Sequence, residues 1–313
     1  MSSLRELVEA GDGLVVTGEA PTVDGGDLRE FEERIAEMGQ WVDAINATDN
    51  PTARAHASNV AVAIAIARAG FEPVLQVVCR DKNRLACQAD IVGAALHGVE
   101  NVCCLTGDDV GAGDEPETRR VFDLDGPQLV SVASGLSAGR YLSGRETTAP
   151  LNLLVGAVEN PGTPPLEHRA RRAAIKINAG ARFLQLQICF HPGRLETFVG
   201  ALERLGLTRK AAILPTIVLL RSARALRFVD EKVPGVSVPD ETIARVAASS
   251  DEAEAAYALA LEQAQQALSL PGVRGLHLTD FRHDGAVTRL FDDLGIPNRE
   301  ERCADAHRSP LAV

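Results

Sequence analysis

The sequence predicts a closed (β/α)8 barrel. Eight short runs rich in apolar and β-branched residues alternate with longer segments of helical period along most of the 313 residues. Most of those runs are apolar without a break, as parallel strands are when helices cover both of their faces. No G-x-G-x-x-G follows the first run, which weighs against the rival doubly wound open sheet. Eight strand–helix units in a chain of this length suit a barrel of the TIM type.

The strands are expected in GLVVTGEA, WVDAINA, EPVLQVVC, NVCCLTG, LNLLVGAV, RFLQLQI, AAILPTIV and VRGLHLT, in that order. Helical period is clear in ARAHASNVAVAIAIARAG, NRLACQADIVGAALHG, HRARRAAIKINAG and GRLETFVGALERLG. These four end in Gly70, Gly98, Gly180 and Gly206, the residue type that closes a helix in the left-handed conformation at least cost. Two segments interrupt the rhythm. The acidic stretch DDVGAGDEPETRRVFDLDG after strand four has the length of a lid or a ligand-binding loop. The stretch VPGVSVPDETIARVAASSDEAEAAYALALEQAQQALSLPG reads as an insertion between strands seven and eight carrying a long Ala-rich helix. Neither calls for a core of its own, so residues 1–313 are expected to form a single domain.

Composition narrows the function classes. With 45% apolar and 24% charged residues the chain can bury a full core. A formal net charge of −11 argues against nucleic-acid binding, where affinity comes from Lys and Arg on phosphates. The N-terminal MSSLRELVEAGDGL lacks a basic region followed by an apolar run, and no stretch reaches the length of a membrane span. A cytoplasmic protein that contacts neither membrane nor nucleic acid is expected; assembly into a homo-oligomer stays open. The six cysteines include no CxxC and no zinc-type spacing. Cys103 and Cys104 are neighbours on a strand, so their side chains point to opposite faces and cannot share a metal. They read as small core residues, and no metal site is expected.

Chemistry in such a barrel gathers at the carboxyl ends of the strands. Those ends carry Glu19, Asn46, Gln76 with Arg80 and Asp81, Thr106-Gly107-Asp108, Glu159-Asn160, Gln187, Thr216, and His277 with Thr279. Two acids stand out. Glu19 closes an otherwise apolar run, so its carboxyl must be paired, hydrated or kept protonated by partial burial; a buried acid with a raised pKa delivers protons near neutral pH. A salt bridge to Lys176 or Arg80 is the competing role. Asp108 follows Gly107, whose missing side chain would let a flat ligand approach the backbone, and a helix-capping role competes there.

At these residues the sequence resembles the methylenetetrahydrofolate reductase family. The ordered set is V-T-G-E-A-P, D-A-I-N-A-T-D-N-P, L-Q-V-V-C-R-D-K-N-R, L-T-G-D, V-G-A-V-E-N-P, K-I-N-A-G-A-R-F-L-Q-L-Q and R-S-x-R-A-L-x-F. The resemblance implies reduction of 5,10-methylenetetrahydrofolate to 5-methyltetrahydrofolate by NAD(P)H, with the hydride relayed through FAD, or FMN, at the barrel mouth. Glu19 matches the family's general acid, Asp108 the carboxylate beside the reacting rings, and Gln187 the glutamine that bonds the pterin. Asn46, Gln76, Thr106 and Lys176 match cofactor-contacting positions; Gly107 and Asn160 lie in the matching motifs, as do Arg80 and Asp81. The chain departs from the family pattern at several flavin-contacting positions. Val158 and Glu159 replace an aromatic residue, Thr106 replaces an arginine, the stacking phenylalanine is absent near Ser222, and Ile175 replaces a basic residue while Arg169, Arg171 and Arg172 crowd nearby. Flavin-free transfer from NAD(P)H to the folate is one alternative. A folate- or flavin-binding partner of a methyltransferase is another. A zinc methyltransferase would need a Cys/His set that the strand ends lack.

Overall fold

In the computed structural model, which describes residues 3–308, the eight strands close into one parallel barrel in the order β1 to β8. The elements run α1 (Leu4–Ala10), β1 (Val15–Glu19), α2 (Leu28–Gly39), β2 (Ala44–Ala47), α3 (Asn59–Arg68), β3 (Pro73–Val78), α4 (Arg84–Leu96), β4 (Asn101–Leu105), α5 (Gly126–Ser137) and β5 (Leu154–Glu159). They continue with α6 (Leu166–Asn178), β6 (Phe183–Leu186), α7 (Pro192–Arg204), β7 (Ala212–Leu219), α8 (Ala223–Lys232), α9 (Asp240–Ala247), α10 (Glu252–Ser269), β8 (Gly275–Asp280), α11 (Ala286–Leu294) and α12 (Arg299–Arg308). The predicted barrel is the observed fold. β1 pairs with β8, Val15 opposite Gly275 and Thr17 opposite His277, and this seam removes both sheet edges. Gly70, Gly98, Gly180 and Gly206 all have positive φ after their helices, as expected.

Each strand offers alternate residues to the barrel interior and to the helical layer. The interior is filled at its lower end by Val15, Ala44, Val74, Cys103, Leu154, Phe183, Ala212 and Leu214, with Leu4 of α1 entering from below. Cys104 packs instead with Val77, Val102 and Leu129 between sheet and helices, so the two neighbouring cysteines do face opposite ways. Small and large residues interlock in this core. Gly156 leaves the volume that the Phe183 ring fills, since a Cβ there would run into that ring.

The middle of the barrel interior is polar. Thr17, Asn46, Gln185 and His277 are each at most 3% exposed. Asn46 and Gln185 exchange two hydrogen bonds of 2.7 and 3.0 Å, Gln185 Nε2 donates to Thr17 Oγ1 at 3.0 Å, and Thr17 Oγ1 meets His277 Nδ1 at 2.8 Å. Every buried amide is thus partnered, as stability requires.

The insertion differs in detail from expectation. It folds as two helices, α9 and α10, because Asp251 caps a new helix by accepting from Glu254 N. With α8 it builds a small apolar cluster, including Leu226, Val229, Ile243 and Val246, that packs on Ile188 and Val218 at the top of β6 and β7. The acidic segment after β4 is also held in place. Val121 N and Phe122 N donate to the carbonyls of Arg80 and Cys79, and Arg84 grips Asp123 through Nε and Nη2 at 2.8 Å. That fastening ties the segment to the carboxyl end of β3. Among the described residues no helix is long and apolar enough to cross a membrane.

Candidate active site

A cavity of about 710 Å³ opens at the carboxyl ends of the strands, above the polar middle layer. Of the residues singled out from the sequence, Glu19, Gln76, Arg80, Thr106, Gly107, Asp108, Asn160, Lys176 and Gln187 line it. Asn46 and Asp81 are not among its lining residues. Asn46 is fully buried with its amide committed to Gln185, which makes it part of the layer that supports the cavity. Asp81 lies behind Arg80, binding its Nε and Nη2 at 2.7 Å each.

Glu19 ends β1 with its carboxyl directed into the cavity. Gln76 Nε2 lies 3.4 Å from Oε1, Thr279 Oγ1 donates to Oε2 at 3.2 Å, and His277 Nε2 stands 3.6 Å from Oε1. Neither Lys176 nor Arg80 is its partner. Burial by itself raises the carboxyl's pKa, but the His277 imidazole together with the Thr279 and Gln76 donors outweighs it, so the pKa lies below the ordinary value. The structure therefore does not supply a burial-raised pKa at this acid.

Asp108, in contrast, is shifted upward by burial, with Arg80 acting in opposition. Its charged form finds little solvation in this wall. Gly107 precedes it at φ +91°, and a Cβ there would run into Val78 and lie 3.1 Å from Arg80 Cβ. The glycine is required by β3 packing as well as by its backbone conformation, a reason different from the ligand approach expected for it. Thr106 Oγ1 accepts Gly126 N at 2.9 Å, tying β4 to the start of α5.

The β5–α6 side is strongly charged. Glu159 is 4% exposed, and its carboxylate takes Lys176 Nζ at 2.7 Å, with Arg169 Nη1 at 3.7 Å and Arg172 Nε at 3.9 Å. Lys176 also donates to Val158 O at 2.6 Å; burial and the neighbouring Arg172 push its pKa down, against Glu159. Asn160 caps its own turn by accepting from Gly162 and Thr163 and donates to Gly235 O. It thereby fixes the insertion to the cavity rim. Gln187 accepts the Ile188 amide at 3.0 Å, leaving its amide nitrogen available at the cavity surface.

Reading strand ends alone passed over several lining residues. Gln185 sits two positions before Gln187, and the alternation in L-Q-L-Q puts both on the inner face. Phe228 of α8 and Phe281 after β8 line the cavity and are more than half exposed; no periodic signal marks either. Among the described residues no group of three or more His, Cys, Asp or Glu is arranged to hold a metal.

A closed (β/α)8 barrel with a cavity ringed by residues from all its strand ends is the architecture of the barrel proteins that bind small ligands at that face. The chain belongs to the methylenetetrahydrofolate reductase family, whose family model matches residues 20–295. No curated protein matches the sequence. Among solved structures, an uncharacterized Clostridium thermocellum protein, described as binding two copies of 5-methyl-5,6,7,8-tetrahydrofolic acid, superposes with TM-score 0.66 at 13% identity, covering 94% of this chain and 99% of its own. DmoA from Hyphomicrobium sulfonivorans does so with TM-score 0.54 at 9% identity, covering 92% and 90%. At these identities the likeness is one of fold.

Proposed function

We propose that this protein reduces 5,10-methylenetetrahydrofolate to 5-methyltetrahydrofolate with hydride from NAD(P)H. The observation that carries the reading is Glu19, a hydrogen-bonded acid at the end of β1 in a cavity shared with Asp108 and Gln187. Membership of the family and the folate bound by the Clostridium thermocellum neighbour support the substrate class.

Ring opening of the bridging carbon needs a proton at N10, and it leaves an iminium cation that accepts hydride. Glu19 is the proton donor, and with its pKa held down it takes up that proton from solvent before handing it on. Gln185 donates to Thr17, which leaves the Thr17 hydroxyl hydrogen for His277 Nδ1, and His277 Nε2–H then faces Glu19. His277 therefore acts as a positioning partner that orients the Glu19 carboxyl. Asp108 supplies the counter-charge. A carboxylate whose ionised form is made costly by burial is relieved when a cation forms beside it, so its stabilisation grows toward the transition state. Gln187 offers its free amide to the pterin edge.

Replacing His277 with Gln should move the alkaline limb of the pH–rate profile upward and lower the rate. The imidazole's downward pull on the Glu19 pKa is lost, so Glu19 stays protonated to higher pH. An unmoved limb would show that His277 has no part in setting the acid. Replacing Gln187 with Ala should raise KM for the folate by about tenfold, the worth of one good hydrogen bond to a polar ring, with KM for NAD(P)H changed much less. Steady-state kinetics with each substrate varied would read this.

A folate-binding partner of a methyltransferase, without turnover of its own, would use the same cavity. Such a subunit has no need of the Glu19–His277 pair. Incubation with NAD(P)H and methylenetetrahydrofolate, followed by mass spectrometry for the methyl product, separates the two readings.

A further inference from the structure

The folate chemistry above leaves the buried charge cluster on the β5–α6 wall without a role. There the chain itself supplies an anion, Glu159, to three cations of one helix, and Lys176, the deepest of them, has donors committed to Glu159 Oε2 and Val158 O. Arg80, the other deep cation, is held by both oxygens of Asp81 and donates to Asn50 O at 2.9 Å. A resident flavin brings a phosphate, and a deep cation can serve it only if it is not already neutralised. Displacing Glu159 to free Lys176 would leave a carboxylate buried without its counter-charge. The residues present do not fit the flavin that the family implies. Further out on this wall Arg172 lines the cavity, 32% exposed and no nearer than 3.9 Å to Glu159, and Arg224 of α8 lines the same cavity. Arg172 Nε has no hydrogen-bond partner. A partly exposed cation of this kind suits an anion that enters and leaves, as a co-substrate does.

We infer that Glu159 fills from within the chain the seat a flavin phosphate would need, and that NAD(P)H sets its phosphates on Arg172 and passes hydride straight to the folate. In this step C4 of the dihydronicotinamide gives up a hydride and becomes the oxidised nicotinamide. The hydride forms a bond to the methylene carbon of the iminium, whose π electrons return to N5 to complete the N5-methyl group. N10 has already taken its proton at ring opening. The inference rests on the reductase reading, and its test is arranged so that the two can fail separately.

The direct arm uses nicotinamide dideuterated at C4, as NADH and as NADPH, with methylenetetrahydrofolate. Direct transfer places one deuterium in the methyl product with no loss to water and gives intersecting initial-rate lines. A flavin relay washes the label out through its exchangeable N5 hydrogen and gives parallel lines, which would overturn the inference. The binding arm titrates FMN and FAD into the wild type and into Glu159→Gln, followed by absorption. The wild type should take up neither, while the variant, with Lys176 released, should bind flavin at least about tenfold more tightly. A flavin in stoichiometric amount on the purified wild type would refute the proposal. Arg172→Ala should raise KM for NAD(P)H about tenfold with little change in kcat. Should neither nucleotide yield methyl product, the reductase reading falls, and the flavin titration of the wild type still decides on Glu159. Should Glu159→Gln fail to fold, the wild-type label and titration decide alone.

Discussion

Glu19→Gln should lower the rate of folate reduction by about 10²- to 10⁴-fold, the range a positioned general acid contributes, while leaving NAD(P)H binding and the melting temperature nearly unchanged. The amide fills the volume of the carboxyl and keeps an acceptor for Thr279 or Gln76, the two donors that hold Glu19. What it cannot do is hand over a proton. Single-turnover reduction measured beside a thermal melt distinguishes chemistry from folding. A variant that keeps wild-type turnover would remove Glu19 from the mechanism, and one that loses turnover together with several degrees of melting temperature would make it a structural residue.

Gly275→Ala is expected to be the most damaging small substitution in the fold. A methyl group at this position would overlap the Val15 carbonyl oxygen and lie 2.6 Å from its carbon. Both obstructing atoms are backbone, at the pair where β8 meets β1, so no rotamer change relieves the clash. Either the seam opens or the strands slide. A cost of about 3 kcal/mol or more follows from overpacking with no means of relaxation, enough to lower the melting temperature by roughly 4 °C or more in a chain of this size. A circular-dichroism melt of the variant that overlays the wild type would show that the seam has slack the structure does not display. The comparison also bears on function, because His277 sits two residues along β8 and owes its place beside Thr17 to the same register.

Much of this was legible from the chain alone. The eight apolar runs, the glycines that close four helices and the polar residue at nearly every strand end are local signals, each readable within a window of a few residues. They determined that a barrel forms and that Glu19, Gln76, Asp108 and Gln187 reach one mouth. Alternation along NVCCL even separated the two cysteines onto opposite faces. The outer layer was less legible. The long Ala-rich helix expected in the insertion is α10, and the shorter α9 before it was not read from the sequence.

Only the closed barrel decided which side chains face each other. Thr17 and His277 are 260 residues apart in sequence and share a hydrogen bond; Asn46 left the expected cofactor surface because Gln185, 139 residues away, took its amide. The same closure set the direction of each pKa, lowering Glu19 through His277 and raising Asp108 through burial. It also placed Glu159 against Lys176 and the two arginines. Periodicity is a property of neighbours along the chain, and it fixes which face a residue occupies. The partner across a cavity, and with it the charge state of an acid, depends on residues that only the folded chain brings within a few ångströms.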